Sequence, residues 1–231
     1  MNDVDITNTP LKTRLGTRLK ALFDAIPSGY DEVWDLCCDH GRLGLALLES
    51  QRAPRVHFVD QVDSIMADLL TRLDQYGAKG YQLHTLPAGQ LELSTEGLPL
   101  LVLAGVGDEV TQAIVSDVTA QHPNNPPDWL ISPANNLFQV RRYLHDQGFG
   151  VLQEGVVFEN GRGYEWLRVS LNRRRAPLPV TNPAGFWDAR VPGHRAHLHR
   201  LVRHARQQLH NPKQADAPLM LAAYEPLLNS N

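Results

Sequence analysis

The chain has 231 residues, of which 42% are hydrophobic and 20% charged, and its formal net charge is −3. These values are typical of a globular protein with one sizeable core and exclude a disordered chain. The only two cysteines are adjacent, which excludes a disulfide framework, and the longest apolar run, 98–106, is too short to span a bilayer. We therefore expect a cytoplasmic protein without a secretory signal or membrane contact.

The first part of the chain alternates between helix and strand patterns. A helix is expected over 9–26, with Thr9 as its cap and Pro10 in its first turn. Strands then follow at 33–37, 55–59, 81–84, 99–104 and 129–132, and helices at 42–50, 62–76, 108–121 and 136–147. Short apolar strands that alternate with longer helices predict a doubly wound α/β sheet, mostly parallel and covered on both faces.

Two β-rich runs, 149–159 and 164–171, end this pattern and are joined by Asn160-Gly161-Arg162-Gly163. With no helix between them, they must form an antiparallel hairpin. A mostly parallel seven-stranded sheet that ends in such a hairpin is the Rossmann-like architecture of class I S-adenosylmethionine (SAM) methyltransferases. Dinucleotide dehydrogenases usually continue with parallel strands.

Positive charge is concentrated after the hairpin. Residues 171–213 hold nine Lys or Arg against one acid, Asp188, and five of the ten histidines. Such a segment suggests a phosphate-bearing partner, although a solvated helix face is about as good an interpretation. We expect a linker at 173–177, a helix at 194–209, solvated or facing RNA, and a weakly structured end. His194 and His197 share helical spacing without an acid or cysteine cluster, so no metal site is expected.

The expected division of the chain follows from these patterns. Residues 1–172, with the N-terminal helix 9–26, form a SAM-binding methyltransferase domain. Residues 173–231 form a basic, histidine-rich helical C-terminal extension.

Small and acidic residues follow three of the predicted strands. Asp35 to Gly41 form the first turn, Asp60 closes the second strand, and Ala104-Gly105-Val106-Gly107-Asp108 follow the fourth. Small residues let a backbone approach a ligand, and an acid such as Asp60 can accept hydrogen bonds from ribose hydroxyls. Each acid alone would serve equally well as a helix cap, but together they favour a cofactor site. The vicinal cysteines Cys37 and Cys38 are expected to be packing residues.

Together these motifs resemble the tRNA (adenine-N1)-methyltransferases that modify position 22. The resemblance covers about residues 10–171 and is carried by Asp35, Asp39 and His40, by 103–107, by 131–135, by 141–144, and by Glu154 with 160–165. It implies a SAM-dependent methyltransferase with a tRNA substrate, which the basic extension and the N-terminal helix are expected to contact. The expected cofactor ligands are Asp35, Cys37, Cys38, Asp39, His40, Asp60, Ala104, Gly105 and Val106.

The expected catalytic residues are Asp108, Asn135 and Glu165, with Glu109 as a further candidate. The N1 lone pair of adenine attacks a methyl group directly, so alignment provides most of the rate. An acceptor near the exocyclic amine would stabilise the positive charge that develops on the ring. Tyr164 or Trp166 would stack on the base, but they and Glu165 fit a hairpin facing the core equally well.

The chain departs from the family pattern at four places. Cys37 replaces a glycine, the loop 86–90 lacks an acid, Asn135 lies one position late, and a shorter, basic, histidine-rich tail replaces the family's helical C-terminal domain. These departures leave open a methyltransferase with another substrate. An NAD-binding oxidoreductase and a non-catalytic RNA-binding relative also remain as alternatives.

Overall fold

The described residues form a single sheet of eight strands. The computed structural model describes residues 12–94, 97–135, 137–171, 176–178, 183, 186–211 and 216–229. The strands are β1 (Glu32–Leu36), β2 (Arg55–Asp60), β3 (Tyr81–Thr85), β4 (Pro99–Ala104), β5 (Asp128–Ser132), β6 (Gly150–Glu159), β7 (Arg162–Ser170) and β8 (Ala176–Pro177). The helices are α1 (Thr17–Ala25), α2 (Arg42–Glu49), α3 (Asp63–Tyr76), α4 (Asp108–Gln121), α5 (Leu137–Asp146), α6 (Pro192–Gln208) and α7 (Ala217–Tyr224).

The strands lie in the order β3-β2-β1-β4-β5-β7-β6-β8. Along this order the pairs from β3 to β5 are parallel, and the pairs from β5 to β8 are antiparallel. The hairpin of β6 and β7 joins the edge of β5 through β7. The prediction of a Rossmann-like class I fold with seven strands and a terminal hairpin is confirmed. The two-residue strand β8 extends the edge of β6 and lies where the sequence pattern predicted only a linker.

Two apolar layers cover the sheet and explain why its central strands read as continuous hydrophobic runs. Along β1 and β4, alternate residues enter opposite layers: Val33 and Leu100 pack with α1, α2 and α3, whereas Trp34 and Leu101 pack with α4 and α5. Because both faces are covered, every residue of β1 is buried. The carboxyl ends of the strands are thereby held rigidly along one edge.

The N-terminal helix is shorter than predicted, since α1 begins at Thr17 and not at residue 9. Residues 9–11 lie outside the described residues, but Lys12 and Thr13 are not helical. Their backbone N–H groups donate to the Glu49 carboxylate at 2.9 and 3.0 Å, and the Thr13 hydroxyl donates to it at 2.7 Å. Helix α2 therefore holds this segment by hydrogen bonds that compete with helix formation.

The C-terminal end is helical, and the prediction of weak structure there is wrong. Helices α6 and α7 enclose a third apolar cluster, which the Phe138 ring of α5 joins by packing against Tyr224 at 5.9 Å between centroids. The Arg142–Asp216 ion pair also links α5 to the start of α7. This cluster gives α7 buried partners, which its own sequence does not reveal. None of the described helices is long and apolar enough to cross a membrane.

Candidate functional site

The order of the sheet reverses between β1 and β4, because β1 pairs with β2 on one side and β4 on the other. Ligands of doubly wound sheets bind at the carboxyl ends of the strands at such a point. A cavity of about 330 Å³ lies there, within the usual size range of small-molecule sites. Its lining comprises Leu19, Asp35, Leu36, Cys37, Cys38, Asp39, His40, Arg42, Leu43 and Ala104.

The turn after β1 has an unusual backbone. Cys37, Asp39 and Gly41 have φ angles of 51°, 48° and 62°, in the left-handed region that non-glycine residues adopt rarely. The Asp60 carboxylate fixes this turn by accepting the Asp39 N–H at 3.3 Å, and it also accepts the Val62 N–H at 3.1 Å. Strain held in this way is common at ligand sites. Asp60 therefore contacts the turn that lines the cavity, and its role in binding a cofactor stays a prediction.

Asp35 supplies a buried carboxylate to the cavity wall. Only 6% of the residue is exposed, and its Oδ2 accepts the Gly44 N–H at 3.0 Å. Burial raises the pKa of Asp35 to about 7, although the hydrogen bond from Gly44 opposes that shift. A cationic ligand group in the cavity would favour the ionised carboxylate. SAM carries such a positive charge on its sulfonium, so this side of the cavity fits that cofactor.

The glycines around the site do two different things. A Cβ on Gly44 would lie 2.2 Å from the Phe58 ring, and one on Gly41 would lie 2.5 Å from Leu69, so both allow α2 and the turn to pack closely. Gly105, with φ of 86°, has no atom within 4 Å of a Cβ position. It leaves open space beside the cavity where a ligand can approach the backbone. The Gly105 turn therefore also fits a nucleoside cofactor.

The vicinal cysteines enter opposite apolar layers of the sheet. Cys38 packs with the α1–α3 layer and Cys37 with the α4–α5 layer, so the two side chains diverge. Burial, with the nearby Asp60 and Asp35 charges, raises the pKa of Cys37 to about 11, and burial likewise raises that of Cys38. A thiol that stays protonated is a poor nucleophile. Both residues line the cavity as small apolar groups.

Asp108 and Asn135 form a reciprocal hydrogen-bonded pair between the segments that follow β4 and β5, and Ala104 at the end of β4 lines the cavity. The Asp108 N–H donates to Asn135 Oδ1 at 3.0 Å, and Asn135 Nδ2 donates to Asp108 Oδ1 at 2.8 Å. The loops after β4 and β5 are further tied by the bond from the Ala134 N–H to the Val106 carbonyl at 2.7 Å. Asn135 is exposed, so the pair presents polar groups that a substrate can reach.

Glu165 lies apart from this pair in its contacts. It is a buried residue of β7, and its carboxylate accepts the Tyr224 hydroxyl at 2.9 Å and lies 3.4 Å from His197 Nε2. Its side chain therefore fastens the C-terminal helices to the sheet. Trp166 is also buried and covers Gly155, where a Cβ would lie 2.8 Å from the indole. Of the three hairpin candidates, only Tyr164 is not buried.

The histidines of α6 divide into two groups. His197 is buried and stacks on Trp187 with 5.7 Å between ring centroids, and His194 accepts the Asp188 N–H at 3.1 Å. The expectation of a solvated or RNA-facing position is wrong for His197, whereas His194 is half-buried and stacks on Phe158 with 5.3 Å between ring centroids. His199 and His204 are exposed. Within the described ranges, no three potential metal ligands lie together.

Two residues of α1 belong to the site although the sequence pattern did not single them out. Leu19 forms one wall of the cavity. Arg18 donates to the Ser132 carbonyl at 2.5 Å, at the end of β5. Only the position of α1 across the strand ends reveals their place.

Solved structures with this fold include several methyltransferases. The B. subtilis M1A22 tRNA methyltransferase TrmK is 14% identical, with a TM-score of 0.69 over 94% of this chain and 97% of its own. M. capricolum TrmK, solved with S-adenosyl-homocysteine, is 15% identical, with a TM-score of 0.68 over 93% and 95%. An uncharacterized Listeria monocytogenes protein is 13% identical, with a TM-score of 0.77 over 93% and 100%.

These matches cover more than nine tenths of the chain, so they reach into the C-terminal helices. No curated protein matches the sequence significantly. A family model described as a methyltransferase domain matches residues 15–167, which include β1 to β5, most of the hairpin and every expected cofactor residue. The chain belongs to this family of methyltransferase domains, which confirms the prediction of a SAM-dependent methyltransferase.

Proposed function

We propose that the protein transfers the methyl group of SAM to N1 of an adenine in tRNA. The observation that carries the proposal is the accessible Asp108–Asn135 pair, which joins the segments that follow β4 and β5, with Ala104 at the end of β4 in the lining of the cavity. The structural neighbours that methylate tRNA support it, because their fold matches the chain almost end to end.

The residues around the cavity divide the work of binding the cofactor. Asp60 would accept hydrogen bonds from the ribose hydroxyls, since its carboxylate retains lone pairs beyond those used by the Asp39 and Val62 N–H groups. Asp35 would face the positive charge of the sulfonium. The turns at Cys37–His40 and Ala104–Val106 would form the walls around the cofactor. When bound, SAM supplies a methyl group on a sulfonium, which is reactive enough to need no activating base on the enzyme.

On the substrate side, the pair has to align the base and stabilise its charge. Adenine N1 gains positive charge as its lone pair forms the new bond, and the ring shares that charge with the exocyclic amine. Asn135 binds one oxygen of the Asp108 carboxylate and so orients the other toward a substrate N–H. An oriented acceptor of this kind acts without reorganisation during the reaction. Asp108 and Asn135 are the proposed catalytic residues, whereas Glu165 is proposed to support the site through the C-terminal helices.

The tRNA contact is proposed to involve α6. Arg195, His199, Arg203 and Arg206 follow at spacings of four, four and three residues, so they share one helix face. Arg195 and Arg203 are exposed, whereas Arg206 binds Glu225. Neutralising phosphates with such a face gives affinity that falls with salt.

On the N-terminal side, Lys12 and Arg14 are exposed and remain candidates for tRNA contact. Lys20 binds Asp24 at 2.5 Å, and Arg18 is turned toward β5.

We propose that the chain divides into a methyltransferase domain and a basic C-terminal extension. The burial of Leu178 among sheet residues favours a junction after that residue.

The experiment is incubation of the purified protein with unmodified tRNA and methyl-labelled SAM, followed by mass spectrometry of the nucleosides. We expect 1-methyladenosine, and we expect Asp108→Ala to lose most of it while SAM still binds. Asp117→Ala, at an exposed position farther along α4, is the matched control. Label on a different nucleoside, or on no RNA at all, would reject tRNA adenine N1. Thermal stabilisation by NAD and not by SAM would reject the cofactor.

A further inference from the structure

The carbonyl of Ser132 is the junction between the cofactor side and the substrate side of the site. It accepts the N–H of Gly105 at 3.0 Å, from the turn that borders the cavity. It also ends β5, three residues before Asn135. The position of this carbonyl therefore affects both the cofactor turn and the Asp108–Asn135 pair.

Arg18, from helix α1, also donates a hydrogen bond to the Ser132 carbonyl. Its Nη2 donates to the Ser132 carbonyl at 2.5 Å, and it lies within hydrogen-bond distance of Ser132 Oγ at 3.2 Å and of the Pro133 carbonyl at 3.3 Å. The same guanidinium lies over the Tyr164 ring, 4.5 Å from its centroid. One side chain thus contacts the β5 loop and the half-buried Tyr164 of β7 together.

The placement of Arg18 is fixed by its own helix. Glu159, at the end of β6, accepts the Arg18 N–H at 3.2 Å and lies at the N-terminus of α1, where a carboxylate is favoured. A Cβ on Gly16 would lie 2.7 Å from this carboxylate, so the glycine makes room for it. Burial lowers the pKa of Arg18, a cost that a freely solvated arginine would avoid. The hairpin therefore anchors α1 in the register that directs Arg18 toward Ser132.

We propose that Arg18 is a positioning residue for methyl transfer, which holds the Ser132–Pro133 backbone and Tyr164 so that the Asp108–Asn135 pair meets the target base. This inference rests on the proposed function for the identity of the substrate. Arg18 touches neither cofactor nor substrate in this role. It acts on kcat, because a small displacement of an aligned group reduces the rate far more than it reduces binding.

Arg52 provides a matched control. It binds the carbonyls of Phe23 and Ile26 at 2.8 and 3.2 Å and lies over the Phe23 ring at 4.1 Å, so it makes the same kinds of contact at the other end of α1. We expect Arg18→Gln to lower kcat for tRNA about 10-fold to 100-fold with the Kd for SAM within about twofold. Arg52→Gln should lower thermal stability about as much as Arg18→Gln does, and it should leave kcat unchanged.

Arg18→Lys separates charge from geometry. An ammonium retains the charge but neither lies flat on Tyr164 nor provides the planar set of donors, so we expect only partial recovery of kcat. Unchanged kcat in Arg18→Gln would overturn the proposal. Loss of SAM binding in step with kcat, or an equal loss of kcat in Arg52→Gln, would also overturn it by showing a general structural role.

Hydrogen–deuterium exchange provides a readout that does not depend on activity. In Arg18→Gln the peptide that contains 132–135 should exchange faster, because the bond from the Ala134 N–H to Val106 is no longer supported. The Arg52→Gln variant should exchange there at the rate of the unchanged protein. If the unchanged protein does not methylate tRNA, the proposed function fails, and the exchange rate of this peptide still decides the positioning role: faster exchange supports it and unchanged exchange refutes it.

Discussion

Replacing Asp35 by asparagine tests whether a buried, titrating carboxylate forms the wall of the cofactor cavity. The amide has the same size and an oxygen that can accept the Gly44 N–H, but it does not ionise. Burial raises the pKa of Asp35 to about 7 from an ordinary value of 3.8. Ionising this group therefore costs free energy in the folded protein that it does not cost in the unfolded chain.

The magnitude and the sign follow from linkage. A pKa difference of this size corresponds to at most roughly 4 kcal/mol, at about 1.36 kcal/mol per unit. A carboxyl whose pKa is raised by folding stabilises most below its unfolded pKa, and that contribution is lost as the pH rises through about 7. Asp35→Asn should therefore match the unchanged protein near pH 4 and be more stable above pH 7, by as much as roughly 4 kcal/mol.

The assay is urea denaturation followed by tryptophan fluorescence between pH 4 and 8, with the free energy of unfolding compared between the two proteins at each pH. The comparison cancels the other titrating groups, which both proteins share. Asp68→Asn, which removes a carboxyl at an exposed position of α3, is the matched control. A flat difference for Asp35→Asn would refute the argument that this carboxyl is buried and titrates near neutrality.

The same variant tests the electrostatic fit to SAM by calorimetry. In the unchanged protein, SAM affinity should rise as the pH rises through about 7, because the ionised Asp35 attracts a cation. At pH 6 only about a tenth of Asp35 is ionised, so binding should be roughly tenfold weaker than at its limit. In Asp35→Asn the affinity should be low and independent of pH over this range. A pH dependence that persists in the variant would assign it to another group.

Three further outcomes are expected. Asp60→Ala should weaken SAM binding by roughly 1.5–3 kcal/mol, or about 10-fold to 150-fold in Kd, since it removes hydrogen bonds to a charged group; unchanged affinity in calorimetry would leave Asp60 with only its role in the turn. Neutralising Arg195, Arg200 and Arg203 together should weaken tRNA binding and reduce its salt slope by up to about three, and an unchanged slope in filter binding would mean that α6 is only a solvated face. Burial and the adjoining His84 lower the pKa of His57 to about 3. The contribution of His57 to stability is therefore complete above pH 6.5 and declines as the pH falls toward 3. His57→Phe keeps an aromatic ring against Trp34, so between pH 7 and 5 it should lose less stability than the unchanged protein when urea midpoints are compared.

The sequence predicted most of the central sheet because each element there carries its own signal. The helix at 108–121 was predicted with its observed bounds, and β4 at 99–104 likewise. Strands buried on both faces are continuous apolar runs, and their ends are marked by glycine, proline or acids. The same local signals placed Asp35, Asp39 and Asp60 at the carboxyl ends of two strands that prove to be neighbours.

Errors occurred where long-range contacts decide the local structure. The helix pattern at 12–16 is overridden by the Glu49 carboxylate, and α7 owes its burial to α5 and α6. His197 lies in a basic helix, yet it faces Trp187 and Glu165 and not solvent. Neither a period nor a propensity carries information about a partner more than thirty residues away.

The sequence by itself determined the class of fold, and it predicted the edge of the sheet where a cofactor is expected and the acids near that edge, because periodicity and turn chemistry are local properties. Only the tertiary structure decided which polar residues act together. It paired Asp108 with Asn135, directed Glu165 to the C-terminal helices, and brought Arg18 from α1 to the end of β5. Such contacts depend on how helices cross the strand ends, and packing between layers fixes that geometry.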